Sequence, residues 1–135
     1  VAGAFFDAGF SQGMIIARNE ETGRALAERY EYAWAPEVGN LRAPILVNVT
    51  PIGMAGGEES EELSYPQEAI AEAQVVFDVV AMPVETPLIR AARAAGKEVI
   101  HGGEVIALQA AEQFRLYTGV ELTPEEVEEA EAQAN

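Results

Sequence analysis

The amino-acid sequence predicts an α/β fold, a parallel sheet with helices on both faces. Short strand-like segments alternate with helix-like segments along the chain, and the connections are mostly short, which is the pattern of parallel sheets. Two of the strand-like segments are continuously apolar apart from one or two polar residues, "APILVNVT" at 43–50 and "AQVVFDVV" at 73–80. Such runs are typical of parallel strands that are buried on both faces.

Composition excludes several classes of protein. The 135 residues carry a formal net charge of −15, and the eight Lys and Arg are scattered without a basic stripe, so we expect no nucleic-acid partner. There is no cysteine, and no apolar run approaches the roughly 20 residues that span a bilayer, so we expect neither thiolate metal sites nor membrane insertion. A cytoplasmic location is the default expectation.

The first third of the sequence predicts a helix, a strand, a helix and a strand. The opening segment has a helical apolar stripe that Gly9 ends, and in the second helix Asn19 is placed to cap the N-terminus. The four segments are "VAGAFFDAGF" at 1–10, "GMIIAR" at 13–18, "NEETGRALAERY" at 19–30 and "YEYAW" at 30–34.

The remainder continues the alternation. A long loop at 51–64 follows the first apolar strand, and long loops are commonly functional. Thr123, Pro124 and Glu126 form a capping-box pattern that predicts an acidic helix at the end of the chain. The segments between are a short helix from Pro66, the strand at 73–80, the helix "ETPLIRAARAAG" at 85–96, the strand "KEVI" at 97–100 and the helix "GEVIALQAAEQFRLYTG" at 103–119.

Residues that follow strands are the candidates for function, because ligands of parallel sheets bind beyond the carboxyl ends of the strands. Arg18 ends the first strand and Arg24 lies in the following helix. Arginines at this place accommodate the 2′-phosphate of NADP in dinucleotide-binding folds. Two solvated surface arginines are an equal alternative, and the acidic neighbours Glu20 and Glu21 weigh against phosphate binding.

Polar residues also end the two apolar strands. Asn48 and Thr50 need hydrogen-bond partners in an otherwise apolar run, and they either line a ligand or only begin a turn. Gly53 permits the close approach of a flat ligand. We expect Asp78 to bond loop amides in a structural role.

The fourth strand ends in "VIHGGEV". His101 is the one histidine, and we expect a structural role for it. Gly102 permits close approach at the strand end. Gln109 follows about two helical turns later, a spacing that allows its side chain to reach the same crevice.

Other known site signatures are missing. The sequence holds no P-loop, HExxH, Gly-x-Ser-x-Gly or Cys/His metal cluster, and we therefore predict no metal site. The Gly-x-Gly-x-x-Gly loop of a Rossmann-like fold is also missing. That loop follows the first strand, and since this chain opens on a helix, we expect the strand and the loop to precede Val1.

Three motifs together resemble a known family: "NVTPIGM" at 48–54, "DVVAMPVETPL" at 78–88 and "HGGEVIALQAAEQFRLYTG" at 101–119. The chain resembles the C-terminal NADP-binding domain of shikimate dehydrogenases, most closely the shikimate dehydrogenase-like branch. The resemblance implies a partial Rossmann-like domain at 1–119, with an acidic C-terminal helix at 120–135 outside it.

The resemblance also implies the site residues. The family's Asn-Arg-Thr that holds the 2′-phosphate is matched here by Arg18, beside Asn19 and with Arg24 assisting. Thr50 corresponds to the cofactor-lining threonine, and a glutamine that contacts the substrate corresponds to Gln109. The nicotinamide side corresponds to Val79, Gly102 and Val105, the last in place of a methionine.

The implied function is the cofactor part of an NADP-dependent dehydrogenase that acts on shikimate or a related hydroxylated cyclohexene carboxylate, in aromatic amino acid biosynthesis. Ala81 stands where the family has a substrate-contacting tyrosine, and Glu104 replaces a glycine, which puts shikimate itself in doubt. The family's catalytic Lys and Asp lie in an N-terminal substrate domain. We therefore predict no catalytic residue in this chain and no activity for it alone. The alternative is a non-catalytic nucleotide-binding or partner-docking module.

Overall fold

The structure is a computed structural model that describes residues 1–134, and they fall into two compact units. The first unit, residues 1–41, contains α1 (Ala2–Asp7), β1 (Met14–Ile16), α2 (Glu20–Arg29) and β2 (Ala33–Ala35). The two strands are parallel, and Ile15 lies opposite Trp34. Strand, helix and parallel strand form a βαβ arrangement that places the residues after β1 at the N-terminus of α2.

Local signals account for the elements of the first unit. The Asn19 side chain accepts a hydrogen bond from the Thr22 backbone N–H at 3.0 Å, which caps α2 as expected. Gly9 adopts φ of +92° just after α1, a backbone conformation that favours glycine.

Aromatic side chains hold α1 within this unit. The rings of Phe5 and Phe10 meet edge to face with centroids 5.2 Å apart, and Phe6 lies 5.7 Å from the ring of Tyr30. The Tyr32 hydroxyl donates to the Phe10 carbonyl at 2.6 Å. No residue of α1 is fully buried, so these ring contacts are its main packing.

The second unit, from residue 42 onward, has a three-stranded parallel sheet in the order β3-β4-β5. Asn48 lies opposite Asp78, and Phe77 lies opposite Ile100. The elements of this unit are β3 (Ile45–Asn48), α3 (Gln67–Glu72), β4 (Val75–Asp78), α4 (Pro87–Ala94), β5 (Glu98–Ile100), α5 (Gly102–Thr118) and α6 (Pro124–Ala134). The parallel α/β class is therefore confirmed.

The core of the second unit lies on one face of its sheet. Leu46 and Val76 are buried there, and α4 packs on the strands with Leu88 and Ile89 fully buried. On the opposite face the alternate residues of β3 and β4 are only half-buried. The expectation that both apolar strands are buried on both faces was wrong for this part, because the helix packing buries alternate residues only.

The predicted capping box of α6 is confirmed, and local signals mark other helix ends of the second unit as well. Thr86 caps α4 by accepting from the Ile89 N–H, and Gly119 ends α5 with φ of +71°. The capping box of α6 forms in both directions, since Thr123 N–H donates to the Glu126 carboxylate at 2.8 Å and Glu126 N–H donates to the Thr123 hydroxyl at 3.3 Å.

Among the described residues, no helix combines the length and the apolar character that crossing a bilayer requires. The domain boundary at residue 119, which the sequence analysis placed at the end of the third motif, remains a prediction.

Candidate functional site

Two groups of side chains gather at strand carboxyl ends, one in each unit, and each is described by itself. The first is the Arg24 cluster, formed by Glu20, Gly23, Arg24 and Trp34. The second is the Asn48 network, formed by Asn48, Thr50, Asp78 and Thr86.

The Arg24 cluster is built on the tryptophan of β2. The Arg24 guanidinium carbon lies 4.4 Å from the centre of the Trp34 ring, within cation–π distance. The Trp34 indole N–H donates to the Ala17 carbonyl at 3.2 Å, which orients the ring against the end of β1. A side-chain carbon at Gly23 would collide with the same indole, so a glycine is needed at this place in α2.

The guanidinium of Arg24, which lies on Trp34, is also bound by Glu20. Glu20 Oε1 accepts a hydrogen bond from Arg24 Nε at 2.8 Å, four residues apart on α2. The two side chains remain 65% and 57% exposed, so the pair is open to solvent and to an incoming ligand. The acidic neighbour that the sequence raised as a difficulty is therefore in direct contact with Arg24.

The structure places the three predicted residues of this segment as follows. Pairing of the strands extends to Ala17, whose N–H donates to the Ala35 carbonyl at 3.2 Å, so Arg18 lies just beyond the end of β1. The Asn19 side chain is engaged in capping α2. Arg24 lies in the second turn of the helix, above Trp34.

The Asn48 network begins at the end of β3. Asn48 Oδ1 accepts from the Thr50 N–H at 3.0 Å and from the Thr50 hydroxyl at 2.7 Å. The Asn48 amide donates to Asp78 Oδ1 at 3.0 Å and to the Ile52 carbonyl at 3.2 Å. One side chain thereby ties the start of the 51–64 loop to the end of β4.

Asp78 carries the network on to α4. Its carboxylate also accepts from the Val80 N–H at 3.0 Å and from the Thr86 hydroxyl at 2.7 Å. Asp78 and Thr86 are fully buried, and the donors seen around the carboxylate are neutral groups. The expected bond to a loop amide is confirmed at Val80, and the two side-chain partners are additions that the sequence did not predict.

The network brings three of the predicted cofactor residues together. Thr50 is bonded to the Asn48 side chain, and the Val79 N–H donates to the Asn48 carbonyl at 3.1 Å. At the start of α5, a side-chain carbon on Gly102 would lie 2.5 Å from the Val80 carbonyl oxygen and 2.7 Å from the Ala81 nitrogen. The carboxyl ends of β3, β4 and β5 therefore converge, and Gly102 is needed for backbone packing at that point.

A partly buried tyrosine supports the same sheet. The Tyr65 hydroxyl donates to the Val47 carbonyl at 2.8 Å. Burial raises the pKa of the Tyr65 hydroxyl above its ordinary value of 10.0, and the charge of Asp78 adds to the rise.

His101 has a structural role in the helix that follows β5. Its Nδ1 accepts from the Glu104 N–H at 3.3 Å, which caps α5, and its Nε2 lies 3.1 Å from Glu104 Oε1. Val105 is half-buried one turn into α5, and Gln109 is exposed on the same helix. Glu104, which the sequence analysis expects in place of a glycine of the family, is thus paired with His101 in this chain.

Within the described part of the chain, no group of three or more His, Asp or Glu side chains is arranged to hold a metal ion. The residue that the sequence analysis missed is Trp34. Gly23 could have indicated the contact with Trp34, because a glycine inside a helix often marks the close approach of a large neighbour.

No protein-family model matches the sequence. The chain is 52% identical over 132 residues to a shikimate dehydrogenase-like protein of Haemophilus influenzae, a match that covers 98% of this chain and 49% of that protein. It is 37% identical over 126 residues to a shikimate dehydrogenase (NADP(+)) of Archaeoglobus fulgidus, over 87% of this chain and 46% of that protein. The chain thus spans about half the length of the curated relatives it matches.

Solved structures give the same result. A shikimate 5-dehydrogenase-like protein superposes with a TM-score of 0.94 at 52% identity, over 98% of this chain and 49% of that chain. The Thermus thermophilus shikimate 5-dehydrogenase, solved with NADP(H) and shikimate, superposes with a TM-score of 0.81 at 32% identity. That match covers 100% of this chain and 50% of the other. The Corynebacterium glutamicum quinate dehydrogenase, solved with NAD, superposes with a TM-score of 0.82 at 27% identity, again over 100% of this chain and 50% of the other.

These similarities extend over nearly the whole chain and agree with the three strand-end motifs, and the chain accordingly belongs to the shikimate dehydrogenase family.

Proposed function

We propose that this chain is the cofactor-binding part of an NADP-dependent dehydrogenase whose substrate is shikimate or a related hydroxylated cyclohexene carboxylate. Two relatives with that activity in their names are 37% and 39% identical to this chain over the matched residues, and a neighbour of the same fold was solved with NADP(H) and shikimate. In this proposal, residues 1–119 form the nucleotide-binding domain, and residues 120–135 form an acidic helix outside it.

The observation that carries the proposal is the position of the arginines beyond β1. Arg18 follows the strand directly, and Arg24 presents its guanidinium on the ring of Trp34. In folds of this class the ribose of the adenosine lies at this strand end, and a guanidinium binds phosphate oxygens in pairs. The residues present therefore fit a 2′-phosphate, with Asn19 fixing the helix start beside it.

We also propose that Thr50 lines the cofactor and that Val79, Gly102 and Val105 lie on its nicotinamide side. The backbone N–H groups of Thr50 and Val79 donate to Asn48, and the Val80 N–H donates to Asp78. Gly102 packs against the backbone of Val80. A rigid wall of this kind orients a flat ring without using charged groups. The bound cofactor would supply hydride transfer, and this chain would supply binding and orientation.

The proposal also covers the substrate contact and the acid–base groups. Gln109 would contact the substrate, and the catalytic Lys and Asp would come from a separate substrate domain. Helix α5 exposes large apolar side chains, with Ile106 55% and Leu108 63% exposed, and we propose that this helix faces that domain. Hydride transfer needs cofactor and substrate in near-attack geometry, so this chain alone would be inactive.

The same exposed helix favours a second candidate, a nucleotide-binding module that docks on a partner without catalysis. The two candidates differ in turnover. The dehydrogenase proposal requires the full-length polypeptide containing this chain to oxidise a hydroxylated cyclohexene carboxylate with NADP. Nucleotide binding without any turnover of such compounds would favour the module.

The cofactor assignment is tested by titrating NADP and NAD into the full-length polypeptide and its variants. Arg18→Ala is expected to weaken NADP binding about tenfold, the loss of one charge-assisted contact, with a much smaller effect on NAD. Arg29→Ala, at the far end of α2, is the matched control and should change neither. Equal losses for NADP and NAD in the Arg18 variant would contradict the assignment.

A further inference from the structure

Glu20 is a charged residue that the proposed cofactor contacts do not include. It lies in the first turn of α2, and its carboxylate accepts from Arg24 Nε at 2.8 Å. The guanidinium is also stacked on Trp34, so two neighbours already determine where Arg24 lies.

This arrangement affects the two nicotinamide cofactors in opposite ways. A 2′-phosphate that binds Arg24 meets a carboxylate within hydrogen-bond distance of the same guanidinium, and like charges repel. A 2′-hydroxyl has no such conflict, because it donates a hydrogen bond to a carboxylate, which is how acidic residues grip the ribose of NAD.

We infer that Glu20 is a specificity-determining residue that lowers the preference of this chain for NADP over NAD by competing with the 2′-phosphate for Arg24. The inference rests on the proposed function, since it assumes that the ribose lies beyond β1. Exposure of the pair supports it, because an ion pair this open is weak enough to be displaced by a ligand.

The chain contains a matched control for the general effect of charge. Glu21 is the neighbouring acid in the same helical turn, so removing it changes the net charge and the helix-dipole interaction equally. The contact to the Arg24 Nε belongs to Glu20. A response specific to Glu20 therefore reports on the shared guanidinium.

The test titrates NADP and NAD into the full-length polypeptide containing this chain and into its Glu20→Gln and Glu21→Gln variants. For Glu20→Gln we expect NADP affinity to rise about fivefold, from lost repulsion and a freed guanidinium, while NAD affinity stays level or falls. For Glu21→Gln we expect the ratio of the two affinities to change less than twofold. Thermal unfolding of each variant verifies that α2 is intact.

The Arg24→Ala background isolates the mechanism. If Glu20 acts through Arg24, Glu20→Gln should lose most of its effect on NADP when Arg24 is absent. Equal responses of the Glu20 and Glu21 variants, with both cofactors bound, would overturn this inference alone. Failure of the wild-type protein to bind either cofactor would overturn the proposed function and this inference with it.

Discussion

Asn48 and Asp78 lie opposite each other at the ends of β3 and β4, and the Asn48 amide donates to the Asp78 carboxylate at 3.0 Å. Both residues are almost fully buried. The pair joins two adjacent strand ends, and its remaining hydrogen bonds reach the loop after β3 and the start of α4. A polar pair in this place fixes the backbone from which the proposed nicotinamide site is built.

Thr86 is the most informative position for testing this network. Its hydroxyl donates to Asp78 Oδ2 at 2.7 Å and accepts from the Ile89 N–H at 3.2 Å. Thr86→Val keeps the shape but removes both bonds, so we expect the free energy of unfolding to fall by about 2–3 kcal/mol in urea denaturation. Thr86→Ser retains the hydroxyl and should lose less than half as much. A neutral Thr86→Val variant would show that the network contributes nothing to stability.

Gly102 tests the convergence of the strand ends. An added side-chain carbon would lie 2.5 Å from the Val80 carbonyl oxygen, and its nearest neighbours are backbone atoms, which have little room to shift. We expect Gly102→Ala to destabilise the protein by about 1–3 kcal/mol. Gly57→Ala is the control, because its closest neighbour is 3.3 Å away and a change below about 1 kcal/mol is expected there. Similar unfolding midpoints for the two variants would argue against the close packing at Val80.

Gly23 tests the platform under Arg24. Alanine in the middle of a helix normally stabilises by about 1 kcal/mol relative to glycine, but here the added carbon would collide with the Trp34 indole. We expect Gly23→Ala to destabilise instead and to shift the fluorescence emission of Trp34, the single tryptophan of this chain. Glu28→Ala, on the same helix, is the control. A stabilised Gly23→Ala variant with unchanged emission would contradict the contact.

Tyr65 gives a pH dependence. Burial raises the pKa of its hydroxyl in the folded state above the ordinary 10.0, so the neutral form is favoured by folding. The associated stability is fully present below pH 10 and is lost as the pH rises through the raised folded-state pKa. Urea denaturation between pH 8 and pH 11 should show the free energy of unfolding falling above pH 10. The fall should be smaller in Tyr65→Phe, which lacks the titrating group, and an identical fall would remove Tyr65 as its cause.

Short-range features of the fold were predictable from the sequence. Asn19 and Thr123 cap the helices that the sequence assigned to them, and the strands begin and end within a few residues of the apolar segments. These signals act over three or four residues of backbone, so they need no knowledge of distant neighbours.

The candidate site was predictable in part. Position after a strand pointed to Arg18, Thr50 and Gly102, because a parallel sheet brings the ends of its strands to one edge. It did not reveal that Asn48 would bond Asp78, which is 30 residues away, because that contact depends on the register between β3 and β4. One residue of slip in either strand would turn that strand's polar side chain to the opposite face.

By itself, then, the sequence determined the order of strands and helices, the helix caps and the family resemblance, since these depend on local patterns and motifs. Only the tertiary structure decided which face of β3 and β4 is buried and that Trp34 lies beneath Arg24. Packing chooses among side-chain arrangements that local propensity leaves equal, and it does so through contacts between residues that are far apart in the chain.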